Sequence, residues 1–159
     1  MPAPLLASAF HPAHAAELCL RPGAALALAG LPPLPALARA YHAAGPAWTV
    51  RRGGAVIACG GAVRFWPGVG ECWCWAGAGV DLAPVAFARL ARRLVERLAR
   101  EHGFHRLQAH VREGALCRDG GRAGRFVRFL GFTLEGRCPG YGPDQSPHIL
   151  YGRFRTWNQ

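Results

Sequence analysis

Lysine is absent from this chain, so all 19 basic side chains are arginine. Only 9 carboxylates oppose them, and the formal charge is +10. The arginines are spread along the chain and do not form a tail, the pattern of a solvated basic surface. The densest group, Arg118, Arg122, Arg125 and Arg128 around Gly120-Gly121, is read as a solvated helix face. No basic platform interleaved with aromatics is present, which disfavours nucleic acid as a partner. A basic balance still favours anionic partners, an acidic protein surface or a phosphorylated cofactor. No C-x-x-C pair occurs, which removes the basis for a zinc ribbon or a thioredoxin-like motif. Cys19, Cys59, Cys72, Cys74, Cys117 and Cys138 are expected reduced and buried. The seven histidines lack ligand spacing, so no metal site is expected. No Ser-His-Asp or Cys-His arrangement can be argued. Long apolar runs are missing too: Leu26–Leu37 is short and broken by prolines, so it cannot span a membrane. The N-terminus has no basic region and carries Pro2 and Pro4, which argues against a signal peptide and for a cytoplasmic protein.

What is present is a globular composition, 51% hydrophobic and 18% charged over 159 residues, suited to one domain with a sizeable core. Three parts are expected: a helical part over 1–45, antiparallel strands over 46–77, and a crossover helix, strand, short helix and strand pair over 78–159. In the first part, His11–Leu20 and Leu34–Ala43 are read as helices. Ala47–Arg51 and Ala55–Trp66 form a hairpin about Arg52-Gly53-Gly54. Gly60-Gly61 within it marks a bulge or a close backbone approach. Glu71–Trp75 is the third strand, with Trp73 and Trp75 on one face and Cys72 and Cys74 on the other.

Pro84–His102 is the best helix, with an apolar stripe of Phe87, Leu90, Ala91, Leu94 and Leu98. Arg92–Glu96 and Glu96–Arg100 are its possible ion pairs, each of about 0.3 kcal/mol. Gly103 ends it. Arg106–Val111 then completes a strand-helix-strand crossover, so the third and fourth strands should be parallel. Arg122–Leu130 is a short helix with Phe126, Phe129 and Leu130 inward. Phe132–Arg137 and His148–Phe154 close the chain.

The turn before the long helix is the most informative stretch. Gly77 and Gly79 would permit close approach of an anion to a helix N-terminus. Asp81 is a candidate N-cap, with Pro84 soon after it. A capping carboxylate would consume donors and place negative charge where a phosphate would sit. No basic side chain lies between Glu71 and Ala88. A capped structural turn is therefore favoured over a phosphate site.

The order of elements resembles the GNAT acyltransferase fold. Arg125-Phe-Val-Arg-Phe-Leu-Gly-Phe-Thr-Leu-Glu-Gly136 resembles that family's helix, Leu-Gly-Phe, strand signature, in which the glycine ends the helix and the phenylalanine opens the strand. Tyr141-Gly142 and Ile149–Arg153 resemble its C-terminal strand pair. The likeness covers roughly Ala47–Arg155. A narrower likeness, carried by Ala47-Trp48, Gly60, Pro67–Gly70, Trp73 and Phe87–Arg93, is to GNAT-like proteins of bacteriophages, including the internal virion protein A family. His11–Glu17 fits the opening helix of that group. The resemblance implies an α/β (α+β) single-domain fold: a mixed twisted sheet with a βαβ crossover and flanking helices.

Two departures shape the functional expectation. The family's Arg/Gln-x-x-Gly-x-Gly/Ala pyrophosphate motif is absent from Ala78–Pro84. Its frequent tyrosine acid, four residues before the Leu-Gly-Phe glycine, is here Val127. The sequence therefore favours a virion structural or assembly component, partnered by phage proteins or acidic surfaces, without a cofactor. The alternative is an acetyl-CoA-dependent N-acetyltransferase. Glu71, the only carboxylate on the central strands, would be its general base and Tyr141 or Tyr151 its acid. Cys74, Trp75, Ala76, Val80, Leu82 and Val85 would then line the cofactor. A structural pairing of Glu71 with Arg64 across the hairpin competes with the catalytic role.

Overall fold

The computed structural model describes residues 1–114 and 119–155. Cys117 and Arg118, named above, lie outside the described residues. Seven strands form one sheet in the order β1-β2-β3-β4-β5-β7-β6. They are β1 (Leu5–Ala9), β2 (Ala47–Arg52), β3 (Ala55–Trp66), β4 (Val69–Ala76), β5 (Arg106–Arg112), β6 (Thr133–Cys138) and β7 (His148–Phe154). The helices are α1 (Pro22–Ala27), α2 (Leu34–Ala44), α3 (Pro84–Glu101) and α4 (Gly121–Phe129). β4 and β5 are parallel, as a crossover through α3 requires. This is a mixed α/β architecture with flanking helices, as expected. The chain divides into two compact units, Met1–Val63 with Cys72–Leu90, and Arg64–Glu71 with Ala91–Gln159. Among the described residues, no helix is long and apolar enough to cross a membrane.

The first unit is built on the hairpin of β2 and β3, turned by Gly53 and Gly54 at φ of 56° and 84°. The irregularity in this ladder falls between Val50 and Arg51. Gly60 serves instead for close approach, since a Cβ there would lie 2.6 Å from the Trp48 ring. The expected aromatic face of β4 is real. The Trp73 and Trp75 rings are 4.4 Å apart, Tyr41 stacks on Trp75 at 5.5 Å, and Phe10 meets Trp73 edge-on at 5.5 Å. Such pairs add about 0.5–1.5 kcal/mol each to simple burial.

The opposite face is less covered than expected: Cys72 is half-buried and Cys74 exposed, because alternation turns them away from the aromatic cluster. Cys59 is fully buried, and burial pushes its thiol up to about 11. The helix expected over His11–Leu20 is a 3-10 turn, Pro12–Glu17. His11 Nδ1 accepts from the Ala13 amide and His14 Nδ1 from the His11 amide. These bonds close the turn early, and Leu20 instead bridges to Gly77.

In the second unit β7 pairs along all of β5 and with β6. Ala91, Val95, Leu98 and Ala99 of α3 are buried. The stripe thus runs through Val95, and Leu90 and Leu94 sit at its margin. Arg92 pairs with Glu96 at 3.3 Å, and the second pair is Arg97–Glu101 at 2.9 Å. Gly103, at φ 68°, follows the helix. Gly131 ends α4 at φ 93°, and Phe132 is buried beside β6, as the Leu-Gly-Phe signature implies. The inward face of α4 is the expected one only in part: Leu130 is buried and Phe126 half-buried, but Phe129 is not inward. Gly121, Gly124 and Val127 are buried, whereas Phe129 is 42% exposed beneath the Arg92 guanidinium. A Cβ at Gly124 would lie 2.9 Å from the Tyr151 hydroxyl, so the helix packs through its glycine and turns Phe129 out.

Candidate functional site

β5 alternates strictly. Leu107, Ala109 and Val111 are buried, and Arg106, Gln108, His110 and Arg112 occupy the other face. The parallel ladder sets Glu71 of β4 opposite Gln108, so His110 follows one repeat further along. Glu71 Oε1 lies 2.7 Å from His110 Nδ1. These side chains are only 21% and 9% exposed respectively. A carboxylate can only accept, so Nδ1 carries the proton and donates it.

Tyr141 comes from the loop between β6 and β7. Its ring stacks on His110, centroids 3.9 Å apart and planes 11° from parallel. Its hydroxyl donates to the same Glu71 oxygen at 3.4 Å. The loop is pinned from β5. Arg112 Nη1 donates to Asp144 Oδ2 at 2.6 Å and to Ser146 Oγ at 3.0 Å. The Ser146 amide donates to Asp144 Oδ1 at 3.1 Å, and the Gly142 amide to the Ser146 carbonyl at 2.9 Å. Bonds from Ser146 and then Arg112 hold the Asp144 carboxyl well below the usual carboxylate range. His148 sits behind Tyr141 at 5.2 Å, its Nδ1 donating to the Ser146 carbonyl.

The fold therefore brings Glu71 and Tyr141 together, seventy positions apart in the chain. The pairing expected between Glu71 and Arg64 does not form. Arg64 donates to the His102 carbonyl at 3.1 Å and lies over the Phe104 ring. Tyr151 is fully buried and its hydroxyl donates to the Asp119 carbonyl at 2.5 Å, which excludes it as an accessible acid. Burial also raises its phenol above the ordinary range. His110 was missed. Its signal was the register, since a histidine two residues past the partner of Glu71 on a parallel strand shares its face. Among the described residues, no group of three or more His, Cys, Asp or Glu side chains could hold a metal ion.

The turn before α3 also departs from expectation. Asp81 lies inside a 3-10 turn, Ala78–Leu82, and Ala83 precedes the helix. The Asp81 carboxylate faces Arg21 Nη2 at 3.4 Å, so its charge is offset by a cation sixty residues away in sequence. Gly77 and Gly79 serve packing. A Cβ at Gly79 would lie 2.5 Å from Ile57 Cγ2, and one at Gly77 3.0 Å from the Cys19 carbonyl oxygen. The Gly77 and Ala78 amides donate to Ile57 and Cys19, and those of Val80 and Ala83 donate within the turn. At the helix start, the amides of Val85 and Ala86 have no partner within the helix. Both residues are exposed, as is Leu82. Trp75 and Val80 are buried, Ala76 is half-buried and Cys74 is exposed.

No protein-family model matches the chain, and no curated protein does. Solved structures do match. Ard1 from Thermoplasma volcanium is 18% identical, with a TM-score of 0.74 over 96% of this chain and 99% of that one. The ribosomal-protein-S5-alanine acetyltransferase from Vibrio fischeri is 14% identical, with a TM-score of 0.68 over 98% and 96%. YncA from Salmonella typhimurium, assigned as an acetyltransferase and solved with its cofactor acetyl-CoA, is 16% identical, with a TM-score of 0.69 over 98% and 96%. At such identities the likeness shows the fold, which is the GNAT fold. It corrects two expectations. The virion assembly role gives way, because the similar structures are of acetyltransferases. The expectation of no cofactor gives way as well, because one of those structures holds acetyl-CoA and the charge argument at Asp81 fails.

Proposed function

We propose that the protein is an acetyl-CoA-dependent N-acetyltransferase. The observation that carries this reading is the Glu71–His110–Tyr141 cluster, a partly buried proton-handling centre in a GNAT fold. Bound acetyl-CoA would supply an activated acyl group, whose bond to sulfur is exchanged for a bond to the acceptor nitrogen. The chain must then remove a proton from the amine, hold a proton for the departing sulfur and keep both groups oriented. Glu71 and His110 form a carboxylate–imidazole pair that can take up one proton. Tyr141 holds a phenolic proton at its hydroxyl, and the Arg112–Asp144–Ser146 bonds hold the loop that carries it.

For the cofactor, the structure offers the start of α3. The Val85 and Ala86 amides suit a pyrophosphate, Arg21 offsets Asp81, and the exposed Leu82 and Val85 side chains supply apolar contact. This lies closer to a helix-end site than to a glycine-loop cradle. A cytoplasmic setting fits, since the described cysteines are all free thiols.

Titration of acetyl-CoA into the purified protein tests the reading, followed by thiol release and mass spectrometry across a panel of primary amines and N-terminal peptides. Saturable micromolar binding and acetylated product are expected. No saturable binding at millimolar acetyl-CoA would refute it.

A further inference from the structure

We infer that His110, not Glu71, takes the proton from the acceptor amine, with Glu71 acting as its positioning residue. This rests on the acetyltransferase reading and deepens it. Glu71 Oε1 accepts from His110 Nδ1 at 2.7 Å and from the Tyr141 hydroxyl at 3.4 Å, so two places could still take a proton, Glu71 Oε2 and the far ring nitrogen. The ring is favoured because the charge it gains lies against the carboxylate. A base needs an open lone pair directed at the proton it removes. With Nδ1 donating to a carboxylate, the neutral imidazole has that lone pair on Nε2. The geometry fixes the tautomer, and Tyr141 stacked at 3.9 Å fixes the ring plane.

The groups facing this ring come from four elements. Glu71 is on β4, Gln108 and Arg112 flank it on β5, Tyr141 is on the loop and His148 is on β7 behind Tyr141. Arg112 spends its charge on Asp144, so Glu71 is the counter-ion in contact with the ring. When Nε2 gains a proton, the imidazolium sits against the Glu71 carboxylate, and the charge created is met at once. The balance is simple. The amine nitrogen loses one proton to Nε2 as its lone pair forms the new bond to the acyl carbon. The bond to sulfur breaks with its electron pair left on the sulfur, which takes the Tyr141 phenolic proton. The proton on Nε2 then passes to solvent and Tyr141 regains one from it, restoring the neutral ring and the phenol.

Three readouts test this together. In the wild-type protein, long-range ¹H–¹⁵N spectra should show neutral His110 as the Nδ1–H tautomer. His110→Ala should lower kcat by roughly 10²-fold or more while leaving the KM for acetyl-CoA unchanged. Added imidazole should restore part of that loss, and should restore nothing to Glu71→Gln. An Nε2–H tautomer would overturn the inference whatever the activity. So would an His110→Ala variant with wild-type turnover, which would leave the amine proton to another group. If His110→Ala does not fold, the tautomer and the turnover of His110→Gln, which should fall as steeply, decide the matter. Absence of acetyl transfer by the wild type, despite the expected tautomer, would refute the acetyltransferase reading and remove the catalytic role of His110 with it.

Discussion

Removing the Tyr141 hydroxyl and removing the whole ring should have separable effects. Tyr141→Phe keeps the stack on His110, with centroids 3.9 Å apart. It loses one hydrogen bond to Glu71, which at 3.4 Å is long. A good bond to a charged group contributes about 1.5–3 kcal/mol, so this one should be worth less than about 1 kcal/mol. Tyr141→Ala loses the stack as well, worth about 0.5–1.5 kcal/mol. It also loses burial, and since the residue is 48% exposed, only about half of a full aromatic contribution of roughly 1.5–3 kcal/mol is at stake. The alanine variant should therefore be destabilised by about 2–3 kcal/mol. For a chain of 159 residues that is a fall in Tm of roughly 4–12 °C, against less than about 4 °C for phenylalanine. Urea denaturation and thermal melts of both variants give the numbers. In turnover the order should differ, since both variants lack the phenolic proton and should lose kcat together. Equal stability of the two variants would refute the stacking argument. Full turnover by Tyr141→Phe would remove the hydroxyl from the chemistry.

Three further outcomes are expected. Asp144 is held ionised below its ordinary range, so the stability it contributes is present above about pH 4 and lost as the pH falls further. Thermal melts of wild type and Asp144→Asn should differ near neutrality and converge in acid; a gap that widens in acid would contradict the sign. Gly60→Ala should cost about 1–3 kcal/mol in urea denaturation, because its Cβ would press on the Trp48 ring and on the Trp73 carbonyl, and a neutral result would place those rings elsewhere. Arg21→Ala should weaken acetyl-CoA binding roughly 2–5-fold in calorimetry, the scale of about 0.3–1 kcal/mol for a charge at a helix end, with Asp81→Asn restoring it. An unchanged Kd would show that Arg21 has no part in the cofactor site.

The elements that were legible in the sequence are those whose signal is local. β3 and β7 fall where alternation and turn residues put them, and α3 starts at Pro84 and stops before Gly103. The parallel pairing of β4 with β5 also follows from local order, because a strand that leads into a long helix packed back along the sheet re-enters it running in the same direction. β1 was not legible. Leu5–Ala9 is short and rich in small residues, and its extended form is stabilised by pairing with β2, which begins almost forty residues later. Phe129 shows the same limit on a helix: apolar character marks a residue for burial, but the approach of Tyr151 to Gly124 decided which face went in.

At the candidate site, residue type and strand position were enough to single out Glu71, and the family likeness pointed to Tyr141 on the last loop. Neither could supply the partner of Glu71. That depended on strand register, a choice made by the whole sheet, in which one residue of slip would have turned His110 into the core. The sign of the turn at Asp81 likewise rested on Arg21, a charge brought from a distant segment. Composition and periodicity are carried by neighbours along the chain, so they survive in the sequence; a pairing of charges and lone pairs across strands exists only once the chain has closed.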